Sequence, residues 1–177
     1  KKVWWLCPEN HEYSTSVKNR TAGGTNCPRC SNQSSEPEIR ILSELKFLFD
    51  DVKSRYKIEG IEVDIFLPSI NVAIEYDGKH WHKGKEDSDL RKNLFVKSHD
   101  INLLRVREHP LKALSGDDIV VQLSGTARSL EKHHLNEVVR KLLPFTADEL
   151  KKKINAYLEE EGFQNDKLFK KYRSYFP

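Results

Sequence analysis

No run of about 18 apolar residues occurs anywhere in the 177-residue chain, so nothing in it reads as a membrane-spanning helix. The N-terminus also lacks a basic segment followed by an apolar stretch and a small-residue cleavage site, which gives the expectation of a cytoplasmic protein. Cysteine is scarce and odd in number, three in all. That argues against a disulfide framework and leaves metal ligation or free thiols. Internal repeats are absent. A first residue other than Met leaves open that the chain is a fragment. Strong net charge is missing too: +3, with a pI near 8.7, is too mild by itself to identify a nucleic-acid partner.

What is present is a chain with 37% apolar residues, enough to fill one ordinary domain with a small appendage. Its charge is unevenly spread. Residues 1–34 carry Lys1, Lys2, Lys18, Arg20 and Arg29 against Glu9 and Glu12, and residues 165–177 carry Lys167, Lys170, Lys171 and Arg173 against Asp166. Basic ends therefore flank a mildly acidic middle, a layout that suits a phosphate-gripping periphery around a cation-binding centre.

Three parts are expected. In the first, residues 1–34, Cys7 and His11 stand three residues apart in the interval, and Cys27 and Cys30 enclose a Pro-Arg pair. Two such short-range pairs make a four-ligand zinc set, Cys7, His11, Cys27 and Cys30, which with all positions filled is structural rather than catalytic. Val3–Leu6 and Tyr13–Val17 read as hairpin arms with Cys7 and His11 at the turn. So short a segment needs a metal staple to hold it. The pattern WW-x-C-P-x-x-H, S-V-x-N-R-T, C-P-x-C resembles the zinc-ribbon and treble-clef modules found beside nuclease domains in bacterial and phage proteins. Those modules usually have glycine before the histidine; Asn10, which tolerates a left-handed turn, stands there instead.

The second part, residues 35–122, opens on SSEPEIR. Ser34 or Ser35 is a candidate N-cap, and a helix is expected over about 37–49. Strands follow at about 54–58, 62–67 and 71–77, with a turn at Pro68-Ser69, then a helix over 86–98 and a buried strand over 101–108. Helix, three strands, helix, strand implies an α/β (α+β) fold with a mixed sheet flanked by helices. The third part, residues 123–177, reads as three helices, with Thr146 the expected cap of the middle one. His133 and His134, being adjacent, point to different sides of a helix and are read as surface histidines.

The chemistry gathers where the strand DIFLPSINVAIEYDGKHWH ends. Glu75 and Asp77, two apart, share one face of a strand, and an antiparallel return at Pro68-Ser69 brings Asp64 beside them. Converging carboxylates suit Mg²⁺, with Asp64 and Asp77 its expected ligands. Gly78 is read as the residue that permits a sharp turn, and Lys79, His80 and His82 as adjacent donors or bases. Phosphodiester hydrolysis needs this set: a metal, an activated water and cations for the developing charge.

On these residues the chain resembles the very short patch repair endonuclease branch of the PD-(D/E)XK nucleases, including homing endonucleases named for a Glu-Asp-x-His-Asp pattern. The likeness covers about residues 35–113. It implies a restriction-endonuclease-like fold and cleavage of double-stranded DNA by a bacterial or phage-encoded enzyme. Glu38, 26 residues before Asp64, matches the helix glutamate of that branch, Asp64 the metal-bridging aspartate, His82 the histidine, and Trp81 the aromatic that wedges between bases. Asp89, or else Asp87, matches the acid on the following helix. No proline precedes Asp64, and Glu75-Tyr76-Asp77 lacks the lysine common in the wider superfamily, whose role falls to Lys79 or His82. The resulting expectation is a Mg²⁺-dependent endonuclease, with Lys18, Arg20, Arg29 and Trp81 on the DNA; the alternative is a zinc-containing nucleic-acid-binding protein that does not cut. Oligomeric state, monomer or dimer on DNA, is left open.

Overall fold

The fold was obtained as a computed structural model, which describes residues 1–7, 9–22, 25–28, 35–124 and 129–175. An N-terminal hairpin pairs β1 (Lys2–Leu6) with β2 (Glu12–Ser16), followed by the single-turn α1 (Val17–Thr21). Its turn has Asn10 at φ 59, the left-handed conformation expected of that residue.

The expected first helix is α2 (Glu36–Leu48). Ser35, not Ser34, is its cap, through a reciprocal box: Ser35 Oγ accepts from Glu38 N–H at 3.3 Å and Glu38 Oε2 accepts from Ser35 N–H at 3.2 Å. Ser34 itself lies outside the described residues. Two hairpins follow. β3 (Lys53–Ile58) turns into β4 (Ile61–Leu67) through Glu59 and Gly60, both at positive φ, the two-residue turn whose twist matches paired strands. A 3₁₀ turn at Pro68–Ile70, closed by Asn71 in the left-handed region, then leads into β5 (Val72–Asp77).

After β5 come a one-turn helix, α3 (Lys79–His82), and α4 (Glu86–Ser98), which return the chain to β6 (Asn102–Glu108), parallel to β5; β7 (Ile119–Val121) adds in parallel beyond it. The sheet order is β3-β4-β5-β6-β7, antiparallel up to β5 and parallel from there. This is the mixed sheet flanked by helices that the pattern implies. Neither α1, α3 nor β7 was expected: one turn or three residues is too short to leave a periodic signal.

Three helices, α5 (Lys132–Leu142), α6 (Asp148–Glu159) and α7 (Asp166–Tyr175), complete the described chain; α6 and α7 pack against α2, and α5 against α6 and β7. Two expectations about them are corrected. Ala147 caps α6, while Thr146 Oγ1 donates to Leu143 O and closes a preceding 3₁₀ turn. His134 is buried, its Nδ1 accepting the Glu131 N–H at 3.1 Å, and burial lowers its pKa; His133 alone stays exposed. One buried cluster runs from Cys7, Tyr13 and Cys27 through α2 and the sheet to Tyr157 and Tyr172. Among the described residues no helix is long and apolar enough to cross a membrane.

Candidate metal sites and the acidic end of the sheet

The zinc set begins with a knuckle. Cys7 N–H donates to His11 O at 3.1 Å, Asn10 N–H to Cys7 O at 2.9 Å, and His11 N–H to Cys7 Sγ at 3.3 Å, which turns both side chains inward. Cys27 reaches the same point from the far end of the module: ligand atoms of Cys7, His11 and Cys27 lie within 4.8 Å of one another, and His11 Nδ1 is 3.8 Å from Cys27 Sγ. Tetrahedral zinc with S and N ligands separates such atoms by about 3.5 Å, so the donor set fits the ion. Cys30 and Arg29 lie outside the described residues. Lys18 is exposed on α1, and Arg20 lies over the Trp5 ring at 5.9 Å.

At the carboxyl end of β5 the strands β4 and β5 part. Their ladder stops at the Ile65–Ile74 pair, and side chains take over its hydrogen bonds. Asp64 N–H donates to Glu75 Oε1 at 3.1 Å, and Tyr76 N–H donates to Asp64 Oδ2 at 2.8 Å. The two carboxyls therefore face each other across the opening, on the side of the sheet that α4 covers. Burial, then the charge of Glu38, raises the Asp64 pKa to about 7. Burial and then Asp64 raise Glu75 to about 8, against the pull of Lys92, whose Nζ lies 2.7 Å from Glu75 Oε2.

A second group sits beside the first. Asp77, fully buried, is held by Arg105 Nη1 at 2.7 Å and Arg107 Nη1 at 2.8 Å. His82 Nδ1 lies 3.1 Å from both Asp89 oxygens and 3.4 Å from Asp77 Oδ1, and ligand atoms of Asp77, His82 and Asp89 fall within 4.8 Å of one another. With Nδ1 aimed at carboxylates, the ring carries its proton there and turns Nε2 outward. Arg107 Nη2 also reaches Asp89 at 3.3 Å, so two guanidiniums balance two carboxylates.

The structure thus gathers Asp64, Glu75 and Glu38 in one group and Asp77, His82 and Asp89 in another. Lys79 instead turns its ammonium to Glu108 at 2.8 Å. Gly78 is extended (φ −70), and an added Cβ meets nothing closer than 3.7 Å, so the expected sharp turn is not what its lack of a side chain serves. Trp81 is 77% exposed, at the rim of the second group, and Asp87 on the first turn of α4 makes no hydrogen bond or ion pair among the described residues.

Sequence reading missed Lys92, Arg105 and Arg107. For the arginines a signal existed: E-Y-D on β5 and R-V-R on β6 share the same two-residue spacing, and the parallel register sets Glu75 opposite Arg105 and Asp77 opposite Arg107. Charges at alternate positions in a buried strand need partners of opposite sign at the same spacing.

The fold and these sites define a mixed α+β protein with an N-terminal zinc-binding module and a buried acidic centre. Residues 1–33 match the family described as a probable treble clef zinc finger domain, in agreement with the Cys7, His11 and Cys27 geometry. No curated protein and no solved structure matches the chain.

Proposed function

We propose that the chain is a divalent-metal-dependent endonuclease of duplex DNA, with the zinc module helping to hold the nucleic acid. The observation that carries the reading is the Asp64–Glu75 pair, two facing carboxyls pushed up to about 7 and about 8, Asp64 by burial and the charge of Glu38, Glu75 by burial and the charge of Asp64. Glu38, Asp64 and Glu75 bring three carboxyls together, while Lys92 and Arg105, the latter shared with Asp77, reach Glu75 at 2.7 and 3.8 Å, so when ionised the group keeps a negative excess that suits a divalent cation. Around Asp77 the arginines have already cancelled the charge.

Asp64 and Glu75 are accordingly the residues that would hold Mg²⁺, which revises the expected pairing of Asp64 with Asp77. Such an ion supplies Lewis acidity at a phosphoryl oxygen. Lys92 holds Glu75 in place and brings a cation to the edge of the acids, the role expected of Lys79 or His82. His82, fixed by Asp89, offers Nε2 to take a proton from water. Asp77 keeps Arg105 and Arg107 packed beneath the site. Trp81, exposed beside His82, is placed for contact with bases.

The test is nicking of supercoiled plasmid by the zinc-loaded chain in Mg²⁺. The parent should cut and Asp64→Ala should lose roughly 10²-fold or more of the rate while still retarding duplex DNA in a gel. A parent that never cuts, or an Asp64→Ala variant that cuts as fast, overturns the reading. The zinc finger match and the arginine-cancelled Asp77 favour a second reading, a zinc-containing nucleic-acid-binding protein; it predicts retardation without cleavage. Cleavage of RNA but not DNA would move the substrate class and keep the site.

A further inference from the structure

At the opposite end of β5 and β6 from the acids lies a cavity of about 650 Å³, between α4, α5 and the loop before β7. Its volume falls in the range of small-ligand sites, roughly 300–1,000 Å³. The cavity runs along an open sheet edge. β7 pairs only with Val106–Glu108, so among the described residues the first half of β6 has no neighbour on that side. Asn102 N–H donates to Asn71 O, toward β5. Alternate residues of a parallel strand address opposite neighbours, so the N–H and C=O of Leu103, which lines the cavity, face the open edge. A donor and an acceptor side by side are what a flat heterocycle can read.

The walls and rim add the rest. Leu103, Pro144 and Phe145 give apolar surface, with Phe145 41% exposed, and the buried Val72 and Leu142 back the cavity from the core. Lys97, Arg140 and Lys141 stand at the rim against Asp117 and Glu137. Lys141 pairs with Asp117 at 3.5 Å, whereas Lys97 and Arg140 make no ion pair among the described residues. Two uncommitted cations suit a phosphate, the Glu137 carboxylate can accept from a sugar hydroxyl, and the apolar walls suit a base.

We propose that this cavity binds a nucleoside monophosphate: base against the open edge of β6, phosphate at Lys97 and Arg140. The site is separate from the acidic centre and stands whether or not that centre cleaves DNA. Asn93 lines the cavity but also accepts from Arg105 Nε at 2.6 Å, and Arg105 holds Asp77, so the test leaves Asn93 intact.

The test is calorimetric titration of the zinc-loaded full chain, without Mg²⁺, with deoxyadenosine 5′-monophosphate, and amide chemical shifts read in parallel. One site is expected, with shifts at Leu103 and Arg140. Arg140→Glu, at an exposed position, should weaken it by about tenfold or more, and Asp64→Asn should leave it unchanged. Deoxyadenosine and inorganic phosphate should each bind at least about tenfold more weakly than the nucleotide. A 5′-phosphorylated dinucleotide separates the two sources of this chemistry: tighter binding than the monomer assigns the cavity to a strand end, equal binding to the free nucleotide. No binding up to roughly 10 mM, phosphate alone binding as well as the nucleotide, persistence in Arg140→Glu, or loss in Asp64→Asn would each overturn the proposal.

Discussion

Asp64 and Glu75 carry the clearest electrostatic signature in the molecule, and it has a consequence for stability. Their folded pKa values, about 7 and about 8, stand above the ordinary 3.8 and 4.5. Between those limits the folded chain binds more protons than the unfolded one, so stability is greatest at the acid end of this window and falls as pH rises from about 4 to about 8. Each group withdraws at most about 1.4 kcal/mol per pH unit, and less for Asp64, which water partly reaches. Urea unfolding without divalent metal at pH 5 and pH 8 should show the fall, and Asp64→Asn should flatten it; a slope unchanged in that variant would remove the physical basis of the acidic centre. At this scale the acids and His82 were legible because their spacing along one strand and its turn is local. Lys92 was not, because which turn of α4 meets Glu75 depends on how the helix lies on the sheet.

Among the elements, α2 is the spine, buried on nearly every side although it carries Arg40 and Glu44. The charges are satisfied by the C-terminal segment. Arg40 lies between the rings of Phe163 and Phe169, at 3.9 and 3.4 Å, and bonds Asp166 at 2.6 Å. Glu44 accepts from Tyr157 OH at 3.0 Å and from the N–H groups of Gln164 and Asn165 at 2.9 and 3.0 Å. Removing one partner of so buried a pair leaves a stranded charge, so Glu44→Ala should lower unfolding free energy by about 3–5 kcal/mol. Chemical denaturation measures it, and a loss under about 1 kcal/mol would mean that the C-terminal helices are not locked through this residue. The helix itself was readable from its cap and apolar repeat. Its second, charged face was not read as buried, since a lone amphipathic pattern assigns charges to solvent.

For the whole molecule, the zinc module is not a detached appendage. Cys7, Tyr13 and Cys27 belong to the cluster that also contains α2 and Tyr172, and Glu9 bridges outward to Lys46 at 2.8 Å and to the Tyr172 hydroxyl. Metal loss should therefore be felt throughout. Metal analysis should find one zinc per chain, and Cys7→Ser should lose it and lower the thermal midpoint by more than about 5 °C within a single transition. Two separate transitions in the parent, or a midpoint indifferent to zinc, would count against a shared core.

Local patterns determined much of this protein by themselves: the zinc pairs, the capped helix, the strands with their turns, and the acids that end β5 are written in residues close together in the chain, where spacing alone fixes which side chains share a face. Tertiary structure alone decided how those acids divide. Parallel pairing of β5 with β6 delivers Arg105 and Arg107 to Asp77 and cancels its charge, while the parting of β4 from β5 leaves Asp64 and Glu75 facing each other with charge to spare. Register and helix placement join residues distant in sequence, and no periodicity within one segment encodes them.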